Sequence, residues 1–285
     1  MTHDAAARKL VGKPRRSWLF VPGADDKAHE SAARSGADVL VQELEDFTPP
    51  ALRPRARALA KSLYDRWRAA GAIAAVRVNP LESCGREDLV AVLAARPDIV
   101  MMSKVAVPGQ VRALEQATGG AFDLVPNIET AAGLIRTFDI VRASPRVTAA
   151  LMASEDMVAD LGTSRSRGGE ELAYARARFL VECRAAGVEA IDCPYTFSDA
   201  RGAARDARYA KRLGYHAKSL VTPAHAAAIN RAFTPQAAEI ARARRIVAAF
   251  DKARAAGRDR ATVDGALIEV PIHAAALRLI ESLKE

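Results

Sequence analysis

The residues best placed to do chemistry are acids that close two short apolar runs. Leu124-Val125 leads to Asn127-Ile128-Glu129, and Leu151-Met152 leads to Glu155-Asp156. The runs lie about one strand-helix-strand unit apart, roughly 30 residues. If both are parallel strands of one sheet, both acids emerge at its C-terminal end. Two carboxylates converging there, with few Cys or His nearby, suit a hard divalent cation such as Mg2+. The same spacing also lets each acid merely cap the helix that follows, where the positive helix end favours it. Spacing alone leaves both readings open.

The elements that must position these acids follow from the other apolar runs. SWLFVPG, ADVLVQELED, AAVRVNP, PDIVMMSKV, FDLVPNIET, VTAALMASED, VEAIDCPY and YHAKSLVTP are short and rich in Val, Ile and Leu. Most end in a polar or charged residue, as strands buried on both faces do. Ala/Arg/Leu segments of helical period separate them, such as RARALAKSLYDRWRAA and ELAYARARFLVECRAAG. The latter ends at Gly187, a C′ glycine ahead of a strand. About eight such units predict a (β/α)8 barrel. A doubly wound open sheet stands second, because VPGADD is not the glycine-rich first turn it requires. Beyond Pro223 the pattern turns almost wholly helical, with a break at Thr234-Pro235, a turn at Asp264-Gly265 and a last helix. We expect a barrel over 1–222 and a C-terminal helical extension over 223–285. The extension is too small for a core of its own and packs on the barrel or on a neighbouring subunit.

Strand C-termini face the active site of such a barrel. They carry Glu43, Glu45, Asp46, Arg77, Asn79, Lys104, Glu129, Asp156, Asp192 and Lys218. That is more charge than a core tolerates by accident. Each has a structural alternative. Arg77 could pair with Asp46 or Glu45, Lys104 could be an ion-pair partner or a Schiff-base lysine, Asp192 could hold a turn, and Lys218 could stand alone on the rim. The five histidines show no HxxH or HxxxH spacing, which argues against a histidine-held zinc. One mechanism fits the set. Mg2+ on Glu129 and Asp156 acts as a Lewis acid on the carbonyl of a 2-oxo acid. Arg77 grips a carboxylate in bidentate fashion. Glu45 and Asp46 orient metal-bound water, and an enolate or alkoxide is stabilised while a carbon–carbon bond is made or broken.

Composition narrows the classes. The chain has 285 residues, 50% hydrophobic and 27% charged, with a net charge of +8. Its arginines are spread over helical faces and aromatics are only 5%, unlike the concentrated basic stripe of a nucleic-acid binder. The positive charge reads first as solvated helix faces, with an anionic small substrate as the next choice. No apolar run approaches the roughly 18–20 residues of a membrane span. The basic start, MTHDAAARKLVGKPRR, lacks an apolar core and does not read as a secretory signal. Cys84, Cys183 and Cys193 form no close pair, as expected of reduced thiols in a cytoplasmic protein.

Eight motifs occur in order: RSWLFVPG, SGADVLVQELED, VRVN, SKV, IETAAGL, SEDMVADLG, AGVEAID and FTPQAAEIARA. Nearly the whole chain therefore resembles the citrate lyase beta-subunit-like family of Mg2+-dependent acyl-CoA lyases and aldolases. The resemblance implies a (β/α)8 barrel, metal ligands at Glu129 and Asp156, a substrate-carboxylate arginine at Arg77, and supporting acids at Glu45 and Asp46. It also implies a homotrimer or hexamer whose C-terminal segment reaches a neighbour's active site. The departures are specific. Where such proteins carry an Arg and a Lys that help hold CoA, this chain has Asp25 and Ser31. Glu43 stands for Asp, Ser103 for the Pro of PKV, Thr222 for the His of IHP. Glu269 stands for the Asp proposed to act as acid or base across the subunit boundary. Placing Asp25 near a phosphate is repulsive, and the longer Glu269 changes a reach in which 1 Å matters. The expected activity is cleavage or formation of a malyl-, citramalyl- or citryl-CoA type thioester. The alternatives are a CoA-independent aldolase for small oxo or hydroxy acids, and a non-catalytic metal-binding accessory protein.

Overall fold

The computed structural model describes residues 13–283. In chain order it contains β1 (Ser17–Pro22), α1 (Asp26–Ala33), β2 (Val39–Glu43), α2 (Arg53–Ala69), β3 (Ile73–Val78), α3 (Gly85–Val92) and β4 (Ile99–Met102). There follow α4 (Pro108–Ala117), β5 (Asp123–Ile128), α5 (Ala131–Leu134), α6 (Thr137–Val141), β6 (Ala149–Met152), α7 (Ser154–Asp160) and α8 (Ala173–Ala186). Then come β7 (Glu189–Asp192), α9 (Ala200–Leu213), β8 (Ala217–Leu220) and α10 (Ala226–Phe233). Strands β1 to β8 pair in sequence, all parallel, and β8 closes on β1 to complete a barrel. This is the (β/α)8 barrel expected from the eight apolar runs.

The strands alternate between two apolar layers, because successive strand side chains point to opposite faces. Trp18, Phe20, Val39, Val41, Ile73, Ala75, Ile99, Met101, Val125, Leu151, Ile191 and Ala217 fill the barrel interior. Residues one step out of phase, such as Leu19, Leu40, Val76, Val100 and Ile128, pack under the helices. On α2 the buried positions are Ala56, Ala60, Leu63, Tyr64 and Trp67, the stripe that a 3.6-residue period lays against a sheet. Helix α8 stops at Gly187, whose φ of 75° is the left-handed C′ conformation anticipated from its sequence.

By internal contacts the chain divides into Met1–Phe233 and Thr234–Glu285, and α10 belongs to the first unit. The second unit holds α11 (Ala237–Ala255), β9 (Ala261–Val263), β10 (Ala266–Ile268) and α12 (Val270–Glu281). Its apolar segment is not a lone run but an antiparallel hairpin. Asp264 and Gly265, both at positive φ (52° and 76°), form the two-residue turn that this dipeptide favours. Contrary to expectation, the unit has a small core of its own, in which Ala243, Ile246, Phe250, Val263, Ile268 and Ala276 are buried. No helix among the described residues is long and apolar enough to cross a membrane.

Candidate active site

Strand phase decides which of the expected residues face the barrel mouth. Val39 and Val41 point inward, so Glu43 does too; Ile73 and Ala75 set Arg77 inward, and Val125 sets Asn127 and Glu129 inward. The same rule turns Asp192 and Lys218 outward, since Ile191 and Ala217 fill the interior. There, Asp192 accepts from Arg176 Nε at 2.9 Å and from Lys218 Nζ at 2.6 Å. Asp206 on α9 closes the cluster, 2.8 Å from Arg176 and 2.5 Å from Lys218. Burial acts to raise the Asp206 pKa, but the two cations prevail and hold it at about 2. These are buried structural charges rather than mouth residues. Lys218→Ala leaves two acids facing one arginine, so we expect a loss of about 3–5 kcal/mol in denaturant unfolding, with divalent-ion binding unchanged. Asn79 is likewise structural. Its Nδ2 donates to Leu44 O and Asp88 Oδ2, both at 2.8 Å, which ties the ends of β2 and β3 together.

At the mouth, Arg77 is the hub. It is buried, with its guanidinium 5.1 Å from the Phe20 ring and 5.9 Å from the Phe47 ring. Its Nε donates to Glu43 Oε1 at 2.9 Å. Nη2 lies 3.2 Å from Glu45 Oε2 and Nη1 3.8 Å from Glu129 Oε1. Among the described residues these two pairs are electrostatic contacts without a hydrogen bond. This Nη1–Nη2 edge is the planar pair of donors that bidentate binding of a carboxylate uses. Burial opposes the arginine's charge, but Glu43, Glu129 and Glu45 outweigh it and raise the pKa further.

Glu43, a mouth residue that stands where the resemblance has Asp, has a structural task as well. In the structure it folds the loop after β2, accepting from the backbone N–H of Glu45 at 2.7 Å and of Phe47 at 2.6 Å. Gly23 permits the close approach of the first loop, since a Cβ there would lie 2.6 Å from Glu43 O. Glu45 is buried, and burial raises its pKa against the pull of Arg77 and Lys104. Asp46 is exposed, 3.6 Å from Lys104 Nζ. Lys104 sits at a left-handed φ of 55°, a conformation that costs free energy for a side chain of this size. That turn points its ammonium into an ion pair with Glu45. Burial acts against the charge, but Glu45 and Asp46 raise the pKa above that of a free lysine. A lysine held protonated is a poor Schiff-base nucleophile, so the ion-pair alternative fits it better.

Glu129 is buried, and neither carboxylate oxygen has a hydrogen-bond partner among the described residues. Its pKa is pushed up to about 7, chiefly by burial, with Arg77 opposing and the charges of Asp156 and Glu45 adding to the rise. Asp156, half-buried in the first turn of α7, is thus near enough to be felt. The turn after Glu129 is tightly built. Thr130 accepts from Gly133 N at 3.1 Å, and a Cβ on Gly133 would stand 2.9 Å from Val105 O. Asp160 accepts from Ala131 N at 2.7 Å and latches α7 to this turn, a role the sequence reading missed although ADLG carried it. Asp25 also has a local job. It caps α1 by accepting from Ala28 N at 3.0 Å, which accounts for an acid at that position. Glu269 lies in the second unit, exposed, 3.6 Å from Arg260 Nε.

An unbonded buried carboxylate with a second acid beside it fits an oxygen-loving divalent ion. Among the described residues no group of three or more His, Cys, Asp or Glu is placed to hold a metal. A two-carboxylate site suits Mg2+, which keeps several waters and shares its shell with substrate oxygens.

A closed parallel barrel with acids, an arginine and a lysine gathered at its C-terminal mouth has its polar groups where enzymes of this fold carry their active sites. The chain belongs to the HpcH/HpaI aldolase/citrate lyase family, whose model matches residues 16–223. It is 32% identical to citrate lyase subunit beta of Escherichia coli (strain K12), covering 94% of this chain and 93% of the relative. It is 31% identical to a (3S)-malyl-CoA thioesterase of Cereibacter sphaeroides (strain ATCC 17025), covering 90% of each. Among solved structures it matches CitE from Mycobacterium tuberculosis in complex with magnesium, acetoacetate and coenzyme A. That match has a TM-score of 0.79 at 25% identity and covers 95% of this chain and 99% of the other. RipC from Yersinia pestis matches with a TM-score of 0.68 at 33% identity, covering 79% of this chain and 97% of that one.

Proposed function

We propose that the protein is an Mg2+-dependent lyase that cleaves or forms a 3-hydroxyacyl-CoA of the malyl-, citramalyl- or citryl-CoA type. The observation that carries this is the pairing of Glu129, buried with two oxygens free of hydrogen bonds, with the fork of Arg77 opposite, whose Nη1 and Nη2 meet Glu129 and Glu45 as ion pairs only. Glu129 and Asp156 would hold the ion. A bound Mg2+ supplies Lewis-acid polarisation of the substrate carbonyl. Arg77 Nη1 and Nη2 take the substrate carboxylate and fix its orientation. Glu43 holds the guanidinium in place through Nε. Glu45 and Asp46, steadied by Lys104, order water at the mouth. Phe20 and Phe47 shield the guanidinium from solvent, which strengthens its grip on an anion. Glu269 serves as the acid or base, from its own or a neighbouring subunit of a homotrimer or hexamer. The magnesium and coenzyme A bound to the CitE relative support this reading, and the free thiols of Cys84, Cys183 and Cys193 suit a cytoplasmic enzyme.

Asp25 and its neighbour Asp26 at the start of α1 favour a second reading, a CoA-independent aldolase acting on a small oxo or hydroxy acid. One experiment separates the two. The Mg2+-loaded protein is given malyl-CoA, citramalyl-CoA, citryl-CoA and the free hydroxy acids, while glyoxylate, pyruvate and oxaloacetate are followed and CoA binding is measured calorimetrically. We expect cleavage of a thioester and micromolar binding of CoA. Cleavage of a free acid with no CoA binding would support the second reading instead.

A further inference from the structure

Besides Glu129, a second inward-facing polar side chain has no hydrogen-bond partner among the described residues. Asn127 is fully buried at 0% exposure, and neither its Oδ1 nor its Nδ2 is hydrogen-bonded among the described residues. It points inward from β5, two residues before Glu129, in phase with Val125. Its register partner on β6 is Leu151, and the interior around it is lined by Val125, Met101 and Leu151. A carboxamide offers two N–H donors and one acceptor, and leaving all of them unmet in an apolar interior is unfavourable. If this position only filled space, Leu would do it without that penalty.

The register shows what Asn127 could reach. Arg77 pairs with Met101, and Met101 with Val125. Asn127 therefore stands one inward step above the row of Arg77 and one step below Glu129. The side chains of Arg77 and Glu129 meet above it, Nη1 to Oε1 at 3.8 Å, so Asn127 is the next inward-facing residue of β5 beneath the point where a ligand held by both would sit.

We infer that Asn127 determines specificity: its carboxamide hydrogen-bonds a hydroxyl or carboxylate on the carbon next to the oxo group of a 2-oxo acid, and a bare methyl there leaves it unpaired. The inference rests on the Mg2+ and 2-oxo acid reading of the site. A pocket built to bond a hydroxyl discriminates strongly against an analogue that lacks it.

The test compares pyruvate with 3-hydroxypyruvate, which differ by one hydroxyl, by calorimetric titration of the Mg2+-loaded wild type and Asn127→Leu. The wild type should bind 3-hydroxypyruvate at least about tenfold more tightly than pyruvate. Asn127→Leu should lose that preference while its ligand-free melting temperature stays level or rises. Asn127→Ser, smaller and still polar, covers the case in which Leu does not fold, and should reduce the preference several-fold. An equal preference in wild type and variant overturns the inference, as does a wild type that binds both acids equally. So does a fall in the ligand-free melting temperature of Asn127→Leu with the preference intact, since the amide would then be satisfied within the fold. A wild type that binds neither acid with Mg2+ overturns the site reading itself, and the inference with it.

Discussion

Arg77→Ala should abolish turnover and weaken the fold in the same step. Glu43, Glu45 and Glu129 all lean on this guanidinium, at 2.9, 3.2 and 3.8 Å. Without it, three carboxylates share a buried space with only Lys104 at its edge. Removing one partner from a buried charge group costs about 3–5 kcal/mol, read as a lower midpoint in urea unfolding. Loss of the carboxylate fork should lower kcat/KM by about a thousandfold or more. Arg77→Lys separates the two effects. It restores a charge, and with it most of the stability, but it cannot present two N–H groups in one plane. Its activity should stay at least about a hundredfold down. Arg77→Ala protein that turns over within tenfold of wild type would remove the arginine from the mechanism.

Glu129→Gln should weaken Mg2+ binding by at least about a hundredfold, more than the loss of a group that merely supports a ligand. Its effect on the metal-free fold has the opposite sign. Glu129 is held near a pKa of about 7, above the carboxylate reference of 4.5, mainly by burial. The folded state therefore takes up this proton more readily than the unfolded one, and between those values it binds more protons. Stability of the metal-free protein should fall as pH rises from about 4.5 to about 7, by on the order of 3 kcal/mol. Glu129→Gln removes that slope and should be the more stable protein at pH 8 without metal. With Mg2+ the order reverses, because the ion requires the ionised carboxylate. Metal affinity of the wild type should weaken as pH drops below about 7. Calorimetric Mg2+ titrations and urea midpoints across pH 5–8 check both halves.

The barrel was readable because its strands are short, rich in branched residues, and most are followed closely by a polar or charged residue. The mouth was only partly readable. Asp192 ends β7 and Lys218 is the second residue of β8, and both face the helices, whereas Arg77 near the end of β3 and Glu129 just past β5 face the mouth. A residue takes its face from the strand's phase, and here Ile191 and Ala217 hold the inside. Their partners, Arg176 and Asp206, lie on helices that no local pattern links to a strand end. Glu43 and Asp25 looked like departures from a familiar pattern because the pattern concerns ligands. Their work is backbone bonding, at Glu45 and Phe47 N–H for one and Ala28 N–H for the other. Asp160 was passed over for the same reason. Asn127 sat inside a motif read only for its glutamate, and an unmet side chain shows itself only once the surrounding layer is in place.

The central claim is that Glu129 and Asp156 together hold a divalent ion opposite Arg77. Anomalous diffraction from crystals soaked in Mn2+, a stand-in for Mg2+, tests it most directly. The expected result is one strong peak about 2 Å from a carboxylate oxygen of each acid, on the side that faces the guanidinium. A peak that sits elsewhere, or that touches neither Glu129 nor Asp156, would contradict it.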